Sequence, residues 1–211
     1  IKFDSDYHYF VVNSANYLDS HNDMHVDGNW NKSVKDQNGK VYLVWHHDFS
    51  KTENIIAFPE DIEMITSKVA WSLLGKSYEG ETYSLIYKVK KDKIVNENVS
   101  KWLKEGRKLQ LSVRMQYIKL ETAFNSDDED YMHQTANYQK YFPLIANKDE
   151  FKQIEYFFIV KEAKNVMESS LLPFGSNSAT AEISQTENKT EADNITSETK
   201  DEPNKFTQSE L

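Results

Sequence analysis

Residues 108–120 alternate between apolar and polar side chains, with Leu109, Leu111, Val113 and Met115 opposite Gln110, Ser112, Arg114 and Gln116. A period of two is that of a pleated strand, because a helix repeats its apolar stripe every three to four residues. One long amphipathic strand needs partners to complete its hydrogen bonds and a core beneath its apolar face. The chain supplies both. Residues 7–13 (Tyr-His-Tyr-Phe-Val-Val-Asn) and 41–45 (Val-Tyr-Leu-Val-Trp) are rich in aromatic and β-branched residues and read as strands. Residues 68–74, 81–89, 154–160 and 166–172 read the same way, with Tyr78-Glu-Gly-Glu81 as a turn.

Helical signals are few. Residues 30–35 fit a short helix carrying Trp30, Ser33 and Val34 on one side. Residues 96–105 fit another, with Val99, Trp102 and Leu103 as its apolar face and Gly106 as its C-terminal cap. Pro59-Glu-Asp-Ile-Glu-Met64 opens like a third, with proline in the first turn and acids near the positive dipole end. Many strands with two or three helices predict an α+β fold with a mixed, mostly antiparallel, barrel-like sheet.

The 211 residues, 38% of them apolar, suffice for one core, expected over residues 1–180. Residues 181–211 are dominated by Ser, Thr, Glu, Asn and Lys and carry eight acids against three lysines. Such a segment cannot offset its ordering entropy by burial, so a disordered acidic tail is expected. The tail accounts for more than half of the net charge of -9. No basic stripe offers itself to phosphates, which excludes a nucleic-acid binder. With no cysteine, disulfides, thiolate catalysis and thiolate zinc sites are excluded. No apolar run approaches a membrane span, and no secretory signal is visible. The chain begins at Ile1 rather than Met, as a fragment, a trimmed form or a processed product would.

Two of the strands carry side chains capable of catalysis. Ser112 lies on the polar face of its strand, and His47 closes the apolar run in Val44-Trp-His-His-Asp48. A weak hydroxyl nucleophile needs a base, and neighbouring strands can bring together a pair distant in sequence. On an extended strand His46 and His47 would face opposite ways, so only one aims at Ser112. A strand serine is ordinarily a surface polar residue, and a strand-end histidine ordinarily bonds a nearby carbonyl. Glu168, preceding Ser-Ser-Leu-Leu, would complete a triad if it reached His47. A competing set is His21, Asp23 and His25, which alternation would place on one side as metal ligands, with His46, His47 and Asp48 adding to it.

Taken in order over residues 19–179, these segments resemble the prohead (capsid maturation) serine proteases of tailed phages, whose fold is similar to the herpesvirus assemblin. Asp23-Met-His-Val-Asp-Gly-Asn-Trp30 looks like the family's Asp, Gly-small-aromatic turn. Val44-Trp-His-His-Asp48 looks like its apolar-Trp-Gln-His-Asp stretch. The helix ending at Gly106 and then Leu111-Ser-Val-Arg-Met115 looks like its helix, Gly and Leu-Ser-Ile-Gly-aromatic strand. Glu168-Ser-Ser-Leu-Leu-Pro-Phe-Gly-Ser-Asn-Ser-Ala179 looks like its Glu-Val-Ser-Leu-Val-x-x-Pro-Ala-Asn-x-x-Ala strand.

The resemblance implies His47, Ser112 and Glu168 as catalytic residues and no cofactor or metal; Arg114 either helps an oxyanion, in place of backbone amides, or crowds the site. The resemblance also implies cleavage of scaffold protein, of the major capsid protein's N-terminal extension and of the protease itself. The place would be inside the procapsid, in the host cytoplasm during assembly, with self-association of the enzyme and no nucleic-acid or membrane partner. The chain departs from the pattern in several places. Arg114 stands where the family commonly has Gly, Gly175-Ser176 where it has Pro-Ala, and residues 58–68 form a longer connection, read as an inserted helix. Assemblins use a second His at the third catalytic position. A protein that kept the fold and lost the chemistry is the rival expectation, and a metal-dependent hydrolase using His21, Asp23, His25 and His47 is the other.

Overall fold

The alternating segment forms β7 (Gln110–Phe124), and its partner is β8 (Tyr156–Leu172), paired with it antiparallel along almost its whole length. The computed structural model describes residues 1–151 and 154–184. On its other side β8 meets two shorter strands at different heights. β2 (Asp23–His25) runs parallel to Phe158–Val160, and β3 (Tyr42–Trp45) runs parallel to Glu168–Leu171. β4 (Ile55–Ala57) closes this sheet against β3. The two strands expected over 154–160 and 166–172 are therefore one. An irregularity joins them, where Val166, Met167 and Glu168 intervene between Asn165, opposite Met115, and Ser169, opposite Val113. Met167 sits there with φ of +68°, and such an irregularity re-aims the side chains that follow it.

A second, wholly antiparallel sheet has the order β5 (Ile62–Ala70), β6 (Glu81–Lys90), β1 (Tyr7–Ser14), β9 (Ala181–Ile183). Phe10 and Val12 of β1 join Leu43, Ile56, Leu111, Val113, Val160 and Leu171 in the core shared by the two sheets. Tyr9 and Val11, on the other face of β1, pack with Trp71, Ile86 and Ile183. Both faces of β1 are covered, so its sequence is continuously apolar rather than alternating. Each such buried side chain stabilises the fold by roughly 1.5–3 kcal/mol before entropy is counted.

The fold is α+β and mostly antiparallel, but among the described residues no barrel closes, because β5 and β9 end one sheet and β4 and β7 flank the other. The helix expected at Pro59 is only a 3₁₀ turn over Pro59–Asp61. Ile62 and Met64 are buried around exposed Glu63, so period-two burial overrides the proline and acid signals and makes β5. The strand expected over 68–74 stops at Ala70, and Trp71–Leu74 turn as a 3₁₀ segment ended by Gly75 at φ +68°.

Among the described residues, three α-helices flank the sheets. The first, α1 (Asn31–Gln37), follows Trp30. In α2 (Glu97–Lys104) the Asn96 side chain accepts from the Val99 amide. At its other end the Gly106 and Arg107 amides donate to Leu103 and Trp102, the two bonds of a glycine-capped helix end. No sequence signal announced α3 (Met132–Tyr141), which packs Tyr138 and Tyr141 over Phe157 and Ile159 of β8. Its contacts are aromatic, and it lacks an aliphatic stripe. Residues 181–183, assigned to the tail by composition, form β9 on β1. The rest of the tail, from residue 185, lies outside the described residues.

Candidate active site

The register of the mixed sheet places Ser112 of β7 opposite Ser170 of β8, which in turn lies opposite Val44 of β3. At the usual strand spacing Ser112 and Val44 stand about 10 Å apart across the sheet. The chain then turns at the end of β3. His46 and His47 both take φ of +56°, a left-handed conformation that costs a non-glycine residue roughly 1–2 kcal/mol. Several bonds hold the turn. The His46 amide donates to Leu171 O at 3.2 Å, and the Asp48 amide to Trp45 O at 3.1 Å. The His47 amide donates to Ser170 Oγ at 2.7 Å. The Asp48 carboxylate accepts from the Ser50 amide and the Asn54 side chain, and the Ser50 bonds hold its pKa below the usual carboxylate range.

This turn corrects the expectation for the two histidines. They are not on opposite faces of a strand, because the strand ends at Trp45. Both line one cleft of about 540 Å³ with Ser20, His21, Ser112, and Leu172 to Ser176. His47 Nδ1 lies 2.7 Å from Glu168 Oε1, and Glu168 is completely buried. A buried carboxylate against Nδ1 makes that nitrogen the donor, which leaves Nε2 as the ring's acceptor. The second carboxylate oxygen accepts from the Ser170 hydroxyl at 2.9 Å. Ser112 is half-buried in the same cleft. Among the described residues no hydrogen bond joins it directly to His47.

The cleft's far wall is the segment after β8. An added Cβ at Gly175 would fall 2.5 Å from the carbonyl oxygen of Leu111, so only glycine allows this loop to lie against the residue preceding Ser112. The Gly175 amide donates to Gln110 Oε1 at 2.7 Å. The Thr180 hydroxyl accepts from the Leu111 amide at 2.9 Å. Phe174 stands 87% exposed at the rim.

Arg114 is not brought to the site. It occupies the unpaired position between Val113 and Met115, is exposed, and is not part of the cleft lining. Alternation does keep it on the same strand face as Ser112, with Leu111, Val113 and Met115 turned to the core, but two residues along, that face is open surface outside the cleft.

The expected metal set is also rearranged. His25 is fully buried, with Nδ1 2.8 Å from the Asn29 side-chain Nδ2 and its ring stacked on Trp30, and burial lowers its pKa to about 3. It is a neutral core residue. Ligand atoms that do converge, within 4.8 Å of one another, belong to Asp19, His21 and Asp23. Their carboxylates already have donors, namely the His21 and Asp23 amides on Asp19 and the Tyr117 hydroxyl on Asp23. Burial raises both pKa values, offset in part by these bonds. Asp48 is engaged by Ser50 and Asn54, and His47 by Glu168, so neither joins this group.

Sequence reasoning missed Ser170 and Asp19. The i, i+2 spacing of Glu168 and Ser170 on one strand face was the available signal for the first. No family model matches this chain, and comparison with curated proteins and with solved structures gives no match.

Proposed function

We propose that this chain is a serine endopeptidase with Ser112 as nucleophile, His47 as general base and Glu168 as the carboxylate that orients it. The observation that carries the reading is the 2.7 Å contact between His47 Nδ1 and the buried Glu168 carboxylate, at a cleft that Ser112 also lines. In the reaction, Ser112 Oγ bonds to the scissile carbonyl carbon as its proton passes to His47 Nε2. That proton then leaves on the departing amine, and the acyl-enzyme remains. Water enters, gives its proton to the same nitrogen and releases the acid. No metal or cofactor is needed. Arg114, exposed and outside the cleft lining, would serve the oxyanion only if its side chain swung into the cleft on substrate binding.

The substrate class follows from the resemblance of the four segments to prohead proteases. It comprises the scaffold protein, the capsid protein's N-terminal extension and the protease's own chain, cleaved within the immature viral shell. Labelling of the full chain by a fluorophosphonate, with the modified residue mapped by mass spectrometry, tests the chemistry without a known substrate. Ser112 should be modified, and Ser112→Ala or His47→Ala should lose about 10⁶-fold in rate. Ser112→Ala should melt like the parent, while His47→Ala, which takes a partner from the buried Glu168 carboxylate, should stay folded but melt lower. Unchanged labelling of Ser112→Ala would remove the nucleophile. Cleavage of a capsid protein carrying its extension, abolished by the same substitutions, tests the substrate class.

A second reading rests on the missing hydrogen bond between Ser112 and His47. A virion or scaffold-associated protein that kept the fold and lost the chemistry would show that separation. Catalytic contacts also loosen in the absence of substrate, so the labelling experiment decides between the two.

A further inference from the structure

Among the described residues, Ser170 is the one side chain that touches both the carboxylate and the backbone of the proposed His47–Glu168 pair. It is completely buried, lies directly opposite Ser112 in the sheet, and shares a strand face with Glu168. Its hydroxyl donates to Glu168 Oε2 at 2.9 Å and accepts from the His47 amide at 2.7 Å. A hydroxyl has one proton to give, and here it goes to the carboxylate oxygen that His47 does not use. The lone pair goes to an amide in a left-handed turn, where the backbone has left the sheet and has no carbonyl opposite it. Both ends of the imidazole's support are thus joined through one oxygen.

We infer that Ser170 is a positioning residue. It locks the Glu168 carboxylate and the His47 backbone into a single register, so that the imidazole presents a fixed tautomer and orientation to the cleft. This inference rests on the protease reading. Without the hydroxyl, Glu168 loses its other side-chain donor among the described residues, in a buried setting, and the His47 amide loses its acceptor. Both partners are then free to drift, and misplacement of a catalytic group by an ångström costs up to about a hundredfold.

Ser169 provides an internal control. It is equally buried, but its hydroxyl faces the opposite side of β8, 3.3 Å from the Asn165 side chain.

The experiment compares Ser170→Ala, Ser170→Thr and Ser169→Ala in the full chain by two readouts. One is the rate of fluorophosphonate labelling. The other is the low-field proton resonance of His47 Nδ1–H, recorded in a Ser112→Ala background. Ser170→Ala should slow labelling about ten- to a hundredfold and shift or broaden the resonance. Ser170→Thr keeps the hydroxyl and should restore both. Ser169→Ala should lower the melting temperature comparably and leave both readouts unchanged. A parental rate and resonance in Ser170→Ala would overturn the assignment, and so would equal losses in Ser169→Ala. If the parent chain is never labelled, the protease reading fails on its own, while the imidazole resonance still decides whether Ser170 positions His47.

Discussion

The two halves of β8 share a strand and a partner but have opposite chemistries. In the first half Phe157, Ile159, Val160 and Ala163 are buried and apolar, packed against α3, β2 and the core between the sheets. In the second, Glu168, Ser169 and Ser170 are just as buried and polar. Burying a carboxylate and two hydroxyls is costly unless each finds a partner, and each does: Glu168 in His47, Ser169 in Asn165, and Ser170 in Glu168 itself. The change falls at the irregular pairing around Met167. One half of the strand holds the molecule together, and the other spends stability on placing two side chains.

Three substitutions sharpen that contrast. Phe157→Ala should destabilise most, by about 3–5 kcal/mol in urea unfolding, and leave labelling of the folded fraction at the parental rate. A large loss of labelling there would show that the halves are not separable. Glu168→Gln should do the reverse. It keeps the side chain's shape but turns one of the two accepting oxygens into a donating amide and removes the charge that stabilises the imidazolium, so labelling should fall about 10⁴-fold. That loss is smaller than for Ser112→Ala or His47→Ala, and the unfolding midpoint should fall less than in Phe157→Ala.

The smallest effect concerns the histidine on the structural side. His25, depressed to about 3 by burial, binds a proton in the unfolded chain near pH 6.5 but not in the folded one. The unfolded state therefore holds more protons between these values, and stability falls as pH drops from about 6.5 toward 3. The loss reaches about 2 kcal/mol at pH 5. Asp19 and Asp23, raised by burial, oppose it from above their ordinary value of 3.8. His25→Gln should flatten the slope measured by urea unfolding between pH 7 and 5. An unchanged slope would place the acid sensitivity elsewhere.

The same contrast explains what could be read in advance. Local rules found β1, β3, β6, β7, the capped helix α2 and the turn at Gly80, since each depends on neighbours within a few residues. They also singled out Ser112, His47 and Glu168 as chemically capable. They failed where distant packing decided the outcome. Burial of Ile62 and Met64 turned a helix-like opening into β5, and aromatic contacts with β8 made α3 from a segment with no aliphatic stripe.

Local composition and alternation thus determined strands such as β1, β6 and β7 and, in β7, the face that is buried, because side-chain direction in a strand is a local property. Tertiary structure alone decided which residues meet. His47 and Glu168 are separated by 121 positions, and their contact depends on the register of β3 against β8. His46 and His47 came to line the same cleft through a left-handed turn, and Arg114 stayed outside its lining although it shares a strand face with Ser112. Neither is written in a period of two, because both arise from how strands far apart in sequence pack side by side.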